Sequence, residues 1–440
     1  MIRKGVLVNV IQLVQVAALV GITILVTRVT GAHGRGIYTL ASAVAILAAT
    51  ITSLGISWAG IYYIGKSQFP LERVTSTLLT VSLATAAIAV VAVAVAYVLF
   101  QHTYFQEVSP SQALLMLALA AFFQVSTTTA SILLGLNRPL DYAAITMLQV
   151  VVAFVIQAIL AITGSLTATA ALAALALGAA ASAGYGLVLV GREVPIRLSL
   201  DRQILRAFFT FGIRGYAANL MTLLSYRLDA LIVNGLKGVT SLGYYSVATA
   251  MAETLTYGAV GFALVLFPQV SSVEKKEADR ITPVVCRNAV FLTLVGAIVM
   301  FVVSRELILL VFGPAMFAAL VPLWLLLPGI VMMAAAKVIA SYLSGIGKPI
   351  YTTYIAAGAV IITVVLDLLL IPPYGISGAA IVSTITYTAT AIASVWLLKV
   401  ESGASWLEAL VVRREDFARY GRVLNATMKR LRAVSPARPT

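Results

Sequence analysis

Twelve runs of about twenty or more apolar residues take up most of this chain, and they decide what it can become. A helix needs roughly 20 such residues to cross about 30 Å of hydrocarbon. The runs lie at about 5–27, 37–64, 74–100, 111–136, 142–163 and 166–190, then at 208–234, 242–268, 284–303, 317–345, 350–371 and 376–398. Backbone amides in lipid have no water to bond, so each run is read as a helix. The polar alternation of a barrel strand is missing. Charged residues make up 10% of the sequence and hydrophobic residues 61%, whereas a soluble domain carries about 25% charged residues. The expected class is an all-α integral membrane protein with twelve transmembrane helices.

The basic residues give these helices a direction. Fourteen of them, from Arg3 and Lys4 to Lys348, fall on one side of the alternating runs, with nine more from Lys399 onward. The other side holds Arg28, Arg35, Lys237 and Arg305. The positive-inside rule then puts both termini in the cytoplasm of a cell-membrane protein. The net charge of +14 reports orientation and attraction to an anionic leaflet rather than to nucleic acid. Ile2-Arg3-Lys4 leads straight into the first run, so a retained first helix is expected rather than a cleaved leader.

The chain echoes itself. Ala130–Leu140 reads ASILLGLNRPL and Ala340–Ile350 reads ASYLSGIGKPI, with five of eleven positions identical at an offset of 210. Gly36-Ile-Tyr-Thr-Leu-Ala41 is echoed by Gly243-Tyr-Tyr-Ser-Val-Ala248. Six runs per half, an even number, give both halves one orientation, a parallel repeat of the kind found in transporters. The expected domains are an N-lobe at 1–195, a cytoplasmic linker at 196–206, a C-lobe at 207–400 and a tail at 401–440. These are two parallel six-helix lobes around a central cavity. In the tail, Ser405-Trp-Leu-Glu408 fits a capping box. Trp406, Leu410, Phe417, Tyr420, Leu424, Met428 and Leu431 recur at helical spacing among basic residues. The tail reads either as a basic amphipathic helix on the inner membrane face or as a solvated segment.

Six ionisable residues lie at least four positions inside a run: Arg214, Arg227, Asp229, Glu253, Lys337 and Asp367. Each costs roughly 2.5–3.5 kcal/mol at a helix centre, so they must pair or face a water-filled cavity. All six belong to the second half. Arg227 with Glu253, and Lys337 with Asp229, are candidate ion pairs. Arg214 and Asp367 lie near helix ends, where snorkelling to the interface is an alternative. Tyr216, Tyr226, Tyr257 and Tyr342 are candidates for stacking on sugar rings, or for packing and interface anchoring.

Enzyme signatures are missing. Cys286 is the single cysteine, and the two histidines, His33 and His102, lie in separate connecting segments. The sequence has no metal-ligand spacing. No cofactor and no metal are expected.

Five motifs carry a resemblance. They are Thr30-Gly-Ala-His-Gly-Arg-Gly-Ile-Tyr38, Leu133-Leu-Gly-Leu-Asn-Arg-Pro139, Arg227-Leu-Asp229, Leu242-Gly-Tyr-Tyr-Ser-Val-Ala248 and Phe267-Pro268. In order and spacing, over about residues 1–400, the chain resembles the polysaccharide-biosynthesis flippases of the multidrug/oligosaccharidyl-lipid/polysaccharide exporter superfamily. The resemblance implies a flippase that moves a polyprenyl-diphosphate-linked oligosaccharide from the inner to the outer leaflet by alternating access. It implies cavity cations that engage the diphosphate, with Arg227, Lys337 and Arg214 as the matching positions. Asp229, Glu253 and Asp367 are candidates for ion coupling or charge pairing, with protons or sodium as the ions. Membrane lipids and glycan-synthesis enzymes are the other candidate partners. The competing reading is a proton- or sodium-coupled multidrug/cation antiporter of the same fold.

Overall fold

The computed structural model describes residues 2–413, 415 and 416, and these residues form helices and no strand. The helices are α1 (Ile2–Ser53), α2 (Ile56–Lys66), α3 (Leu71–Phe100), α4 (Pro110–Gly135), α5 (Pro139–Ile162) and α6 (Ala168–Glu193). They continue with α7 (Arg202–Thr254), α8 (Thr256–Ser272), α9 (Lys275–Leu307), α10 (Leu320–Gly345), α11 (Ile350–Ser402) and α12 (Trp406–Leu410). Among the described residues, eight helical stretches are long and apolar enough to cross a membrane, or nine if the pair bent by 43° around Leu255 counts as one. The chain is a multi-pass membrane protein.

Local chemistry sets the helix starts. Ser109 caps α4 in a reciprocal box with Gln112, followed by Pro110 in the first turn. Thr167 accepts from the Ala170 amide at α6, and Asp201 accepts from the Gln203 and Ile204 amides at α7. Each cap satisfies amides that the helix itself leaves without a partner.

Three helices are too long for one crossing. A straight 53-residue helix would measure about 80 Å. Each of the three contains one glycine that leaves the helical region: Gly31 (φ 68°, ψ −172°) in α1, Gly238 (φ 80°, ψ 171°) in α7 and Gly375 (φ 59°, ψ −139°) in α11. Glycine reaches positive φ without a steric cost. The arms on either side fold back on each other. The Tyr245 hydroxyl donates to Asp229 Oδ2 at 2.6 Å, although sixteen residues along a straight helix would separate them by about 24 Å. Thr363 and Thr386 hydroxyls meet at 3.2 Å across the α11 break. This corrects the expectation of connecting loops at 28–36, 235–241 and 372–375. The helical hydrogen bonding resumes directly after each glycine, and Arg35 therefore lies within helix rather than in a loop.

The internal echo is structural. In both copies of the 130/340 motif the helix ends in a left-handed residue, Asn137 (φ 58°) or Gly347 (φ 81°). The Arg138 amide bonds to the Leu133 carbonyl at 2.9 Å, and the Lys348 amide to the Leu343 carbonyl at 2.8 Å. The two cations then hold the ends of later helices. Arg138 pairs with Glu193, and Lys348 with Glu401 at 2.7 Å. The Glu401 carboxylate raises the pKa of the Lys348 ammonium.

The second echo is the crossing point of the two halves. A Cβ placed on Gly36 would lie 1.9 Å from the Val239 carbonyl oxygen, and one on Gly243 would lie 1.9 Å from the Ala32 carbonyl oxygen. Residues 32 and 239, like 36 and 243, are 207 positions apart. The two backbones thus touch through reciprocal contacts, as across a two-fold axis. His33 Nδ1 meets the hydroxyl of its own counterpart, Thr240, at 3.5 Å. Further polar contacts surround this crossing. Arg28 donates to the Leu310 and Val311 carbonyls at 2.7 and 3.2 Å. Asn234 donates to the Tyr104 carbonyl at 2.9 Å. Glu107 accepts from the Val239 amide at 3.4 Å and faces His33 at 3.1 Å. Toward the opposite end, the Tyr216 hydroxyl donates to the Thr50 and Ile51 carbonyls, both at 2.8 Å.

The tail departs from expectation. The Ser405/Glu408 capping box forms, but α12 ends at Leu410 and Val411 is extended. Asp416 folds back instead and makes a buried bidentate pair with Arg287, at 2.6 and 2.9 Å. That pair and the Arg413 amide bonded to Asp416 mark a break in the helix expected to run on from Ser405. Phe417 and the residues after it lie outside the described residues.

Gly243→Ala tests the crossing. Overpacking costs about 1–3 kcal/mol, so the contact should open roughly 5- to 160-fold more often. In a Cys286→Ala background, the reactivity of Ser246→Cys toward an impermeant maleimide should rise accordingly. Unchanged reactivity would mean that this crossing is not a closure.

Candidate functional site

Beneath the crossing lies a cavity of about 530 Å³ between the two halves. The first half contributes Thr23 from the first arm of α1, Arg35, Tyr38 and Ser42 from the second arm, and Gln149 from α5. The second half contributes Arg227, Asp229, Tyr245, Ser246 and Glu253 from α7, and Tyr257 from α8. The residues come together because α1 and α7 both fold back at a glycine and cross there.

Arg35 sits at the cavity wall nearest the crossing. It is 8% exposed. Its Nε donates to the Ser246 hydroxyl of the other half at 3.2 Å, and its guanidinium lies 5.6 Å from the Tyr38 ring centroid. Ser246 in turn donates to the Gly243 carbonyl at 2.9 Å, so the crossing itself orients the partner of Arg35. Arg227 is exposed into the same cavity, close enough to Arg35 for the two charges to interact. The lining of this recess thus holds two cations, Arg35 and Arg227, beside two carboxylates, Asp229 and Glu253.

Asp229 is buried beside them, held by the Tyr245 hydroxyl at 2.6 Å and the Ala230 amide at 2.7 Å. Tyr245 also meets the Ser383 hydroxyl at 2.9 Å. Glu253 is half-buried in the cavity wall, just before the bend at Leu255. The expected Arg227–Glu253 ion pair is not formed within 4.0 Å among the described residues. Asp367 is fully buried in α11, and neither of its carboxylate oxygens has a hydrogen-bond partner among the described residues. It lies near enough to Asp229 to feel its charge, so it is an interior group rather than the snorkelling end-residue that was the alternative.

Lys337 does not share this cavity. It lines a second recess of about 470 Å³ inside the second half, together with Thr222, Ser225, Phe267, Ser341 and Thr390. The expected single cluster of Arg227 and Lys337 is therefore two sites, which open beside successive stretches of α7, Thr222 and Ser225 at one and Arg227 and Asp229 at the other. The side chains of Arg214 and Tyr226 lie outside the described residues. Of the other candidate stacking rings, Tyr257 lines the first cavity. Tyr216 anchors α7 on the α1 carbonyls, and Tyr342 is fully buried with its hydroxyl on Asp279 at 2.5 Å.

Sequence reasoning missed Arg35 as a cavity residue. It counted the first half as free of buried charge. The signal is in the second echo: Gly36 pairs with Gly243, and Gly243 lies within the apolar run 242–268. Aligning the two copies puts Arg35 at the depth of Leu242.

This chain belongs to the family of polysaccharide biosynthesis proteins, whose pattern it matches over residues 2–274. It is 27% identical over 227 residues to an uncharacterized membrane protein of Methanocaldococcus jannaschii. That match covers 49% of this chain and 44% of the relative, so the alignment spans less than half of the relative's length. Among solved structures it is similar to the lipid II flippase MurJ in an inward closed conformation, with TM-score 0.75 and 13% identity over 90% of this chain and 87% of that one. It is also similar to an inward-facing multidrug resistance transporter of the MATE family, with TM-score 0.69 and 14% identity over 88% and 94%. The chain shares its fold with these two structures.

Tyr245→Phe removes a donor from a buried carboxylate, which costs about 1–3 kcal/mol. The purified variant should melt at a lower temperature than wild type, while Tyr257→Phe, at the exposed wall, should not. Equal melting of Tyr245→Phe and wild type would show that Asp229 does not depend on this hydroxyl.

Proposed function

We propose that this protein is a flippase that carries a polyprenyl-diphosphate-linked oligosaccharide from the inner to the outer leaflet for cell-surface polysaccharide synthesis. The observation that carries the reading is the pairing of Arg35 and Arg227, one from each half, in the cavity below the crossing. A diphosphate cannot cross hydrocarbon bare, since burying an unpaired charge is prohibitive. Two guanidiniums replace its hydration shell while the polyprenyl chain stays in the bilayer. Arg214, nearer the linker on α7, is the third cation of the proposal. An inside-negative potential favours outward movement of the anion by about 2.3 kcal/mol per charge per 100 mV.

In this reading α1, α7 with α8, and α11 each supply two crossings, and the remaining long helices one each. The result is twelve spans in two parallel six-helix lobes, bounded at 1–195 and 207–400. The basic residues put the linker at 196–206, the tail at 401–440 and both termini in the cytoplasm of the cell membrane. The crossing is then the outer closure, and alternating access is its opening as the linker side closes.

Asp367 and Asp229 favour ion coupling. A buried carboxylate without a hydrogen-bond partner calls for a proton or a bound cation. Asp367→Asn should therefore remove any stabilisation of the purified protein by sodium over choline, or any dependence of transport on a proton gradient. A variant that keeps both would rule Asp367 out.

The transport reading is tested in cells. Arg35→Ala and Arg227→Ala should each leave the protein folded and inserted, with lipid-linked oligosaccharide accumulating on the inner leaflet and its outward delivery reduced at least tenfold. Arg35→Lys should retain part of the activity. Full delivery in both alanine variants would overturn the role of the cations. Intact glycans with a new sensitivity to cationic dyes on loss of the protein would favour the drug antiporter instead.

A further inference from the structure

The cavity beneath the crossing sorts its polar groups by what they offer a ligand. Arg35 and Arg227 are donors and nothing else. The hydroxyls of the wall are different. Thr23 donates to the Leu19 carbonyl at 3.0 Å, Ser42 to the Thr39 carbonyl at 3.1 Å and Thr249 to the Tyr245 carbonyl at 3.1 Å. Ser246 donates to the Gly243 carbonyl at 2.9 Å and Thr254 to the Met251 carbonyl at 2.6 Å. A hydroxyl has one proton and two lone pairs. With the proton committed to its own helix, each of these groups presents lone pairs to the cavity, and Ser246 already uses one on Arg35. Glu253 adds a stronger acceptor. Its carboxylate forms neither an ion pair nor a hydrogen bond among the described residues, although it lines the cavity. Ser246, Thr249, Glu253 and Tyr257 follow one another at three or four residues and so share one face. That face runs from the crossing through the 43° bend around Leu255. Tyr257 is exposed there, within electrostatic reach of both Glu253 and Arg227.

A wall of lone pairs with one open carboxylate calls for a ligand that brings protons on oxygen or nitrogen. A saccharide does so around its ring. Neighbouring hydroxyls can donate to both oxygens of one carboxylate, and such charge-assisted bonds are the strong kind. The negative face of a tyrosine ring suits the C–H side of a sugar. An acidic sugar would bring another anion beside Glu253 and Asp229, where like charges repel. A lipophilic cation without N–H groups would leave the lone pairs unmatched, and the charges of Arg35, Arg227, Asp229 and Glu253 cancel, so the cavity offers it no net attraction. We infer that Glu253 and Tyr257 form a saccharide subsite of this cavity, which selects a neutral or amino-bearing sugar and rejects a uronate. The inference rests on the flippase reading and deepens it: the diphosphate lies on the arginines and the sugar on the acceptor wall.

The full-length chain, purified in detergent, is titrated with polyprenyl diphosphate, bare or carrying glucose, glucosamine or glucuronic acid. Bound lipid is counted by native mass spectrometry, and the readout is the gain in affinity over the bare diphosphate. Glucose and glucosamine should each give a gain of about tenfold, the scale of one hydrogen bond to a charged group. Glucuronic acid should give none. Glu253→Gln should cut the glucose gain to about threefold or less and let glucuronic acid bind as well as glucose. Tyr257→Ala should cut the gain, and Tyr257→Phe, which keeps the ring, should preserve it. Lys66→Gln, at the end of α2, should match the parent throughout. Arg35→Ala and Arg227→Ala should weaken every one of these lipids and keep the ratios among them. A parent that gains as much from glucuronic acid as from glucose, or that gains from no sugar, would overturn the inference. So would an undiminished gain in Glu253→Gln. Tetraphenylphosphonium bound by the parent and lost in Glu253→Gln would overturn it in favour of a cation site. Bare diphosphate bound equally by the parent and both arginine variants would instead sink the flippase reading, whatever the sugars do.

Discussion

The reciprocal backbone contact at Gly36 and Gly243 is the constraint on which the site depends. Two helices come together only because neither residue carries a side chain there, each glycine facing a carbonyl of the other half. Close backbone approach through small residues is how helices associate where no hydrophobic drive exists between them. The contact fixes one end of the cavity. It also fixes Arg35, one residue before Gly36, against Ser246, three residues after Gly243. The arrangement of charge is thus a by-product of the arrangement of backbone.

The charge pattern is less one-sided than the residue types suggest. The second half does hold Asp229, Glu253, Lys337 and Asp367 in its interior, yet the first half contributes the most enclosed cation of the cavity. Within the second half α7 meets the two recesses at different points along its length. Arg227 and Asp229 look into the space between the halves, while Thr222 and Ser225, less than two turns earlier, look into the Lys337 recess. One helix therefore serves two separate compartments.

The class of fold was legible because lipid leaves a chain few options: long apolar runs must be helices. The 130/340 echo was legible as a repeat, while the left-handed residue and the amide bond that end each copy are seen only in the structure. What escaped was continuity. A single glycine at positive φ lets a helix resume at once, and sequence windows read the same polar stretch as a loop. That error hid Arg35. The ion pair expected between Arg227 and Glu253 failed for another reason: both line a recess, where water is an alternative partner to each other. The short α12 escaped because Asp416 has a better partner in Arg287 than helical spacing reveals.

The two-fold relation at the crossing has a mechanical consequence. Contacts related by an axis share one geometry, so neither can loosen while its twin stays seated without tilting the helices against each other. Separation there is a single cooperative event rather than a progressive unzipping. His33 and Thr240, counterparts that meet across that axis, would be divided by such a parting, and Arg35 would lose its serine in the same motion.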